Sequence, residues 1–170
     1  MAYKIIFTLD YEIHGNGDGS PEKLMIKPTN RILKLFNEFG AKLTIFADMA
    51  EILQFKKYKD LKGEDRFNYD SIVEQLQLAA VNKHDVQLHI HSSYFNSSYS
   101  NGKWQQYWED YNLVELPYER IYEIIKTCKE LLEKIIKPVK PDYKCDVFRA
   151  ANWSMSPSHN IVKALINNIQ

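Results

Sequence analysis

Short apolar runs alternate along the chain with longer segments whose apolar residues recur every three to four positions. The first pattern predicts strands and the second predicts helices. A first strand is expected over Tyr3 to Leu9. The Gly-rich polar loop Gly15-Asn16-Gly17-Asp18-Gly19 follows it. The first helix is expected from Asn30 to Phe39, with Thr29 as N-cap, an apolar stripe of Ile32, Leu35, Phe36 and Phe39, and Gly40 at its end. Lys42 to Ala47 predicts the second strand, because Thr44, Ile45 and Phe46 favour extended backbone. A helical stretch starts near Met49, and Lys56 to Asp65 reads as a charged connection. The next helix is expected over Asp70 to Asn82, with Ile72, Val73, Leu76, Ala79 and Ala80 on one side. In His84-Asp85-Val86-Gln87-Leu88-His89-Ile90-His91, apolar Val86, Leu88 and Ile90 alternate with polar neighbours, so this is the third strand. The most regular helix covers Tyr118 to Ile136, carries Ile121, Ile124, Ile125, Cys128, Leu131, Leu132 and Ile135 on one face, and ends before Pro138. A short fourth strand over Asp146 to Arg149 and a last helix over Ser158 to Asn168 complete the reading.

Strand–helix alternation predicts an α/β fold with a mainly parallel sheet, and chemistry at the carboxyl ends of its strands. Polar residues stand at all four such ends: Asp10 and Glu12, Asp48, His89 and His91, and Arg149. Side chains two apart on a strand leave the same face. His89 and His91 should therefore project together and form half of a metal site, most simply for zinc. The competing reading is two histidines on a solvated face. In Asp10-Tyr11-Glu12-Ile13-His14 an extended backbone puts Asp10, Glu12 and His14 on one side. One carboxylate can bind a cation and the other can take a proton from water; equally, such carboxylates cap turns. Arg149 lies in the apolar context Val147-Phe148-Arg149-Ala150-Ala151, so a buried guanidinium paired with Asp10 or another strand-end carboxylate is expected. Trp153 suits either a pocket wall or the core.

The insertion Ser92 to Pro117 holds Tyr94, Phe95, Tyr99, Trp104, Tyr107, Trp108 and Tyr111 among polar residues. That aromatic content argues against disorder. It suits stacking on sugar faces as well as packing on the domain. The 170 residues suffice for one domain, 1–170, with a sizeable core. The net charge is +0 and no segment basic enough to track a phosphate backbone stands out, so nucleic acid is not the expected partner. No apolar run approaches the ~20 residues of a membrane span. The two cysteines, Cys128 and Cys145, have the spacing of neither a redox pair nor a zinc knuckle. With no signal-peptide pattern at the start, a reducing, cytoplasmic setting is expected.

Three segments in order resemble the first three motifs of the polysaccharide deacetylases, the NodB-like domains of carbohydrate esterase family four. They are Thr8-Leu9-Asp10-Tyr11-Glu12, the His84 to His91 run, and Phe148-Arg149-Ala150-Ala151-Asn152-Trp153-Ser154. Lys42 to Ala47 is similar to the family's second strand. The resemblance implies a distorted, parallel (β/α) barrel that removes acetyl groups from sugars with a divalent metal. It implies that Asp10 is the general base, that His89 is a metal ligand, and that Arg149 holds the catalytic aspartate. The family's second aspartate is replaced by Tyr11, which makes Glu12 the substitute ligand. The family's second histidine falls at Ser93, and His91 stands in for it. Tyr11, Asn152 and Trp153 are expected to touch substrate. Ile161 to Ile166 resembles the helix after the third motif, and the later family motifs, with their general-acid histidine, have no counterpart. An incomplete barrel is therefore expected, with an exposed sheet edge able to associate with a second copy. The expected substrate is an acetylated sugar or glycan intermediate. The rival readings are another C–N bond amidohydrolase, and a catalytically inactive carbohydrate-binding or assembly module on the same fold.

Overall fold

The computed structural model describes residues 3–13, 18–153 and 155–168. Its main sheet has four parallel strands: β1 (Phe7–Tyr11), β2 (Leu43–Asp48), β3 (Asp85–Ile90) and β6 (Phe148–Ala150), in the order β1-β2-β3-β6. Five α-helices connect and flank them: α1 (Lys27–Glu38), α2 (Met49–Lys62), α3 (Tyr69–Val81), α4 (Tyr118–Ile136) and α5 (His159–Asn168). A separate two-stranded antiparallel hairpin, β4 (Ser98–Ser100) and β5 (Lys103–Gln105), lies within the aromatic insertion. No helix among the described residues is long and apolar enough to cross a membrane.

Register decides what each sheet face carries. Leu9, Ile45 and Val86 are neighbours in one row, and Tyr11, Ala47, Leu88 and Phe148 in another. These rows meet the helices and form the core with Met49, Ile52 and Phe55 of α2, Ile72, Leu76 and Ala79 of α3, and Ile121, Ile124, Cys128 and Leu132 of α4. The alternate rows are polar. Asp10, Phe46 and Gln87 share one, and Asp48, His89 and Arg149 share the next toward the carboxyl ends. The same alternation places Glu12, one step beyond β1, on this polar face.

The sheet is curled into a half-barrel with its polar face inward. Arg149 donates to Asp10 although they belong to opposite edge strands. In a flat sheet those strands lie about 14 Å apart, too far for the two side chains to span. The expected α/β class is present, as a curled four-stranded parallel sheet among the described residues. Among the described residues β1 pairs only with β2, and β6 only with β3.

Several boundaries differ from the sequence reading. Residues 3–6 are exposed and outside the sheet, so β1 is displaced toward the motif and includes Asp10. Helix begins at Glu22 as a π-helical turn over Glu22–Ile26 that runs directly into α1. Thr29 is thus buried inside α1 and caps nothing. Pro28, which has no N–H to donate, falls at the junction between the π-helical turn and α1. The expected charged connection over Lys56 to Asp65 is largely helix, since α2 continues to Lys62 and ends at Gly63 in the left-handed region. Tyr118–Ile136 forms as the apolar period predicts.

Candidate metal centre

β1 delivers Asp10 and then Glu12 to the carboxyl end of the sheet, and β3 delivers His89. His91 follows in extended backbone (φ −93°, ψ 98°), so the alternation continues and both imidazoles face the same side. His91 Nε2 lies 2.8 Å from Glu12 Oε2, and His89 Nε2 lies 3.2 Å from the same oxygen. One ligand atom from each of the three residues falls within 4.8 Å of the others. His89 is almost enclosed, whereas His91 and Glu12 keep partial access to solvent.

The orientation of these groups is informative. His89 Nδ1 lies 2.8 Å from the Arg149 carbonyl oxygen, which can only accept, so Nδ1 carries the hydrogen. Its Nε2 therefore faces Glu12, and neither imidazole approaches Oε2 with the direction of a hydrogen bond. A neutral imidazole in that tautomer sets an unprotonated ring nitrogen beside a carboxylate oxygen. Only a positive charge makes the arrangement favourable, as a proton on the ring or as a cation among the three atoms. Donors around an ion at about 2.1 Å lie about 3 Å apart, which these separations approach. The Glu12, His89 and His91 side chains thus fit a divalent metal ion.

Electrostatics follow from the same geometry. Burial alone would raise the Glu12 carboxyl, but the two imidazoles outweigh it and hold Glu12 well below the usual carboxylate range. Burial alone would lower His89; Glu12, with Asp48 and the Arg149 carbonyl, instead raises it to about 8. His91 is raised against its burial by Glu12 and Asp48.

Two further acids, Asp48 at the end of β2 and Glu51 in the first turn of α2, support the centre. Asp48 caps that helix, and its Oδ1 accepts from Ala50 N at 3.1 Å, Glu51 N at 3.3 Å and His91 N at 3.3 Å. Glu51 Oε2 accepts from Ile13 N at 3.0 Å. The first turn of α2 therefore pins the backbone next to both Glu12 and His91. Burial raises both carboxyls, and for Glu51 the neighbouring Asp48 adds to the rise. Asp48 stands at a strand end in the sequence, but Glu51 gives no sequence signal, because it looks like an ordinary first-turn helix acid.

Asp10 and Arg149 form an ion pair on the same face. The Arg149 guanidinium also lies 4.0 Å above the Phe46 ring, which holds it across the sheet. The expectation that Arg149 is largely buried is corrected: its side chain is 33% exposed and that of Asp10 is 42% exposed. The cause is the open sheet, which leaves the interior face accessible to water. Tyr11 is corrected as well. It is 1% exposed, faces the helices, and donates from its hydroxyl to Gln75 Oε1 at 2.6 Å, so it is a core residue and not a substrate contact. Its place one residue from Asp10 puts it on the other face.

Asn152 is exposed and sits at φ 55°, a left-handed conformation that Asn tolerates. The side chain of Trp153 and all of His14 and Gly15 to Gly17 lie outside the described residues. Ser93 is buried and donates to Gln106 Oε1 at 2.7 Å, so it fastens the insertion. His84 is structural: its Nδ1 accepts from Leu43 N at 3.2 Å and its Nε2 lies 3.0 Å from Asn37 Oδ1. Within the insertion, Trp104 and Tyr99 pack with Phe55, Tyr58 and Phe67, while Tyr107, Trp108 and Tyr111 remain exposed.

Comparison with family models, with curated proteins and with solved structures finds no match to this chain.

Proposed function

We propose that this chain is a metal-dependent hydrolase that removes acetyl groups from a sugar or glycan intermediate. The observation that carries the reading is the convergence of Glu12, His89 and His91 on one point of the polar sheet face that also bears the Asp10–Arg149 pair. Glu12, His89 and His91 would hold the ion, most simply zinc. When bound, it supplies Lewis-acid polarisation of the acetyl carbonyl and stabilisation of the developing oxyanion. Asp10 is the proton acceptor for the attacking water, and its solvent access suits that role. Arg149 orients the Asp10 carboxylate from across the sheet. The order of the three motifs supports a sugar substrate, and exposed Tyr107, Trp108 and Tyr111 supply aromatic faces on which a pyranose can stack.

The test is acetate release. Chelator-stripped protein is reloaded with Zn²⁺, Mn²⁺ or Co²⁺ and offered N-acetylglucosamine oligomers and O-acetylated sugars. Turnover that appears on reloading and disappears with chelator is the expected result. Protein that binds metal and sugar but releases no acetate from any of these substrates would mark a binding module and end the hydrolase reading.

A further inference from the structure

The seven aromatics of the insertion divide into two groups. Tyr94, Phe95 and Trp104 are buried, and Tyr99 packs on Tyr58, Phe67 and Trp104. Tyr107, Trp108 and Tyr111 are exposed. The Tyr107 hydroxyl donates to Glu109 Oε2. Trp108 and Tyr111, 56% and 45% exposed, have only each other as ring partners among the described residues, with centroids 5.7 Å apart.

The backbone makes that pair. Trp108–Asp110 is a 3₁₀ turn, closed by Tyr111 N donating to Trp108 O at 3.1 Å. Side chains three apart in such a turn eclipse, so the two rings leave on one side. Asp110, between them in the chain, is buried, and its Oδ2 accepts from Arg120 Nε at 3.2 Å and Nη2 at 2.7 Å. The Arg120 guanidinium in turn lies 5.0 Å from the centre of the Phe95 ring. The turn is also fastened to the residues that follow His91. Ser92 Oγ donates to Asp110 O, Tyr107 N donates to Ser93 O at 2.9 Å, and Ser93 Oγ donates to Gln106 Oε1 at 2.7 Å. Two residues of chain span at most about 7 Å, so the anchor at Ser93 lies within that distance of His91. Neither exposed ring contacts the His89 or His91 ring. The pair therefore stands beside the metal-holding groups and not over them.

We propose that Trp108 and Tyr111 form a second sugar subsite, so that the substrate is an oligosaccharide held through at least two units and not a monosaccharide. The placement of the first unit rests on the acetyl-hydrolase reading above; the subsite itself needs no metal. A unit whose acetyl group reaches Glu12, His89 and His91 leaves the two rings to another unit of the same glycan. Two large aromatic faces exposed together on a pinned backbone mark a place where a ligand covers them, and the apolar C–H face of a pyranose is a ligand that suits them. Asp110 and Arg120 are positioning residues that hold the turn from below.

The test compares N-acetylglucosamine with its tetramer on the full chain. Affinity is measured by calorimetry on chelator-treated protein, with the tryptophan indole N–H signals followed by NMR. The tetramer should bind roughly tenfold more tightly than the monomer and should shift the Trp108 signal. Trp108→Ala and Tyr111→Ala change exposed residues, so melting should hold while tetramer affinity falls toward that of the monomer. In Zn²⁺-reloaded protein, Trp108→Ala should raise KM for the tetramer roughly tenfold with kcat nearly unchanged, the mark of a contact made equally in ground and transition states. Tetramer bound on Trp108 with no acetate released supports the subsite and ends the hydrolase reading. Acetate released with wild-type KM in both variants supports the hydrolase and overturns the subsite. Equal affinity for monomer and tetramer, or binding of neither, also overturns it.

Discussion

Replacing Glu12 with Gln isolates the charge that organises the two histidines. In the metal-free protein, His89 is raised from 6.5 to about 8 although burial pulls it down. That rise corresponds to about 2 kcal/mol favouring the imidazolium. The attraction of Glu12 exceeds its share of this net figure, because burial works against it. In Glu12→Gln, burial remains and the carboxylate is gone, so His89 should titrate well below its wild-type value. The sign for stability follows from linkage. A group raised in the folded state contributes stability that is fully present below 6.5 and is lost as pH rises through about 8. Glu12, lowered in the folded state, contributes above its unfolded value of 4.5 and loses that contribution in acid. The pair should therefore stabilise the metal-free protein most between about pH 5 and 6.5. At pH 6 the variant should lose about 2 kcal/mol, a fall of about 4–8 °C in melting temperature for a domain of this size. Above pH 9 the loss should vanish, because neutral imidazoles gain nothing from a carboxylate. The assays are NMR titration of His89 and thermal melts of chelator-treated protein across this range. Equal destabilisation at pH 6 and pH 9, or a His89 titration unchanged by the substitution, would refute the electrostatic account and leave Glu12 a packing residue.

Metal affinity of the wild-type chain should weaken at least about tenfold per pH unit below about 8, because the ion must displace the His89 proton and, where that ring is also charged, the His91 proton; a flat profile by competition titration would exclude His89 as a ligand. Asp10→Asn should reduce acetate release about 10²-fold or more while melting changes little, since the carboxylate is open to water. A variant with wild-type turnover removes Asp10 from the chemistry. Arg149→Met should cost only about 0–1 kcal/mol in stability, because its ion pair is partly solvated, while turnover falls with the loss of Asp10 orientation. A chemical-denaturation loss above about 3 kcal/mol would indicate a buried role. Tyr11→Phe leaves Gln75 Oε1 without its donor and should cost about 1–3 kcal/mol, with metal affinity unchanged; an altered affinity would return Tyr11 to the site.

The class of fold, the order of its main strands and helices, and the shared face of His89 and His91 could all be read from the residues alone. Each rests on local periodicity: two along a strand and about 3.6 along a helix. The same period indicated that Asp10 and Glu12 share a side and that Cys128 belongs to the core. The same alternation puts Tyr11 opposite Asp10 and Glu12, against Gln75, and this corrects the substrate contact expected of it. It also cannot report how far a sheet closes, so Arg149 was expected to be buried and is partly solvated. The convergence of Glu12 on two imidazoles contributed by another strand depends on sheet register and curl, both set by long-range packing. The same holds for Asp48 and Glu51. In the sequence Asp48 is a polar strand end and Glu51 an ordinary helix acid; only tertiary structure encloses both and sets them against the backbone of His91 and Ile13.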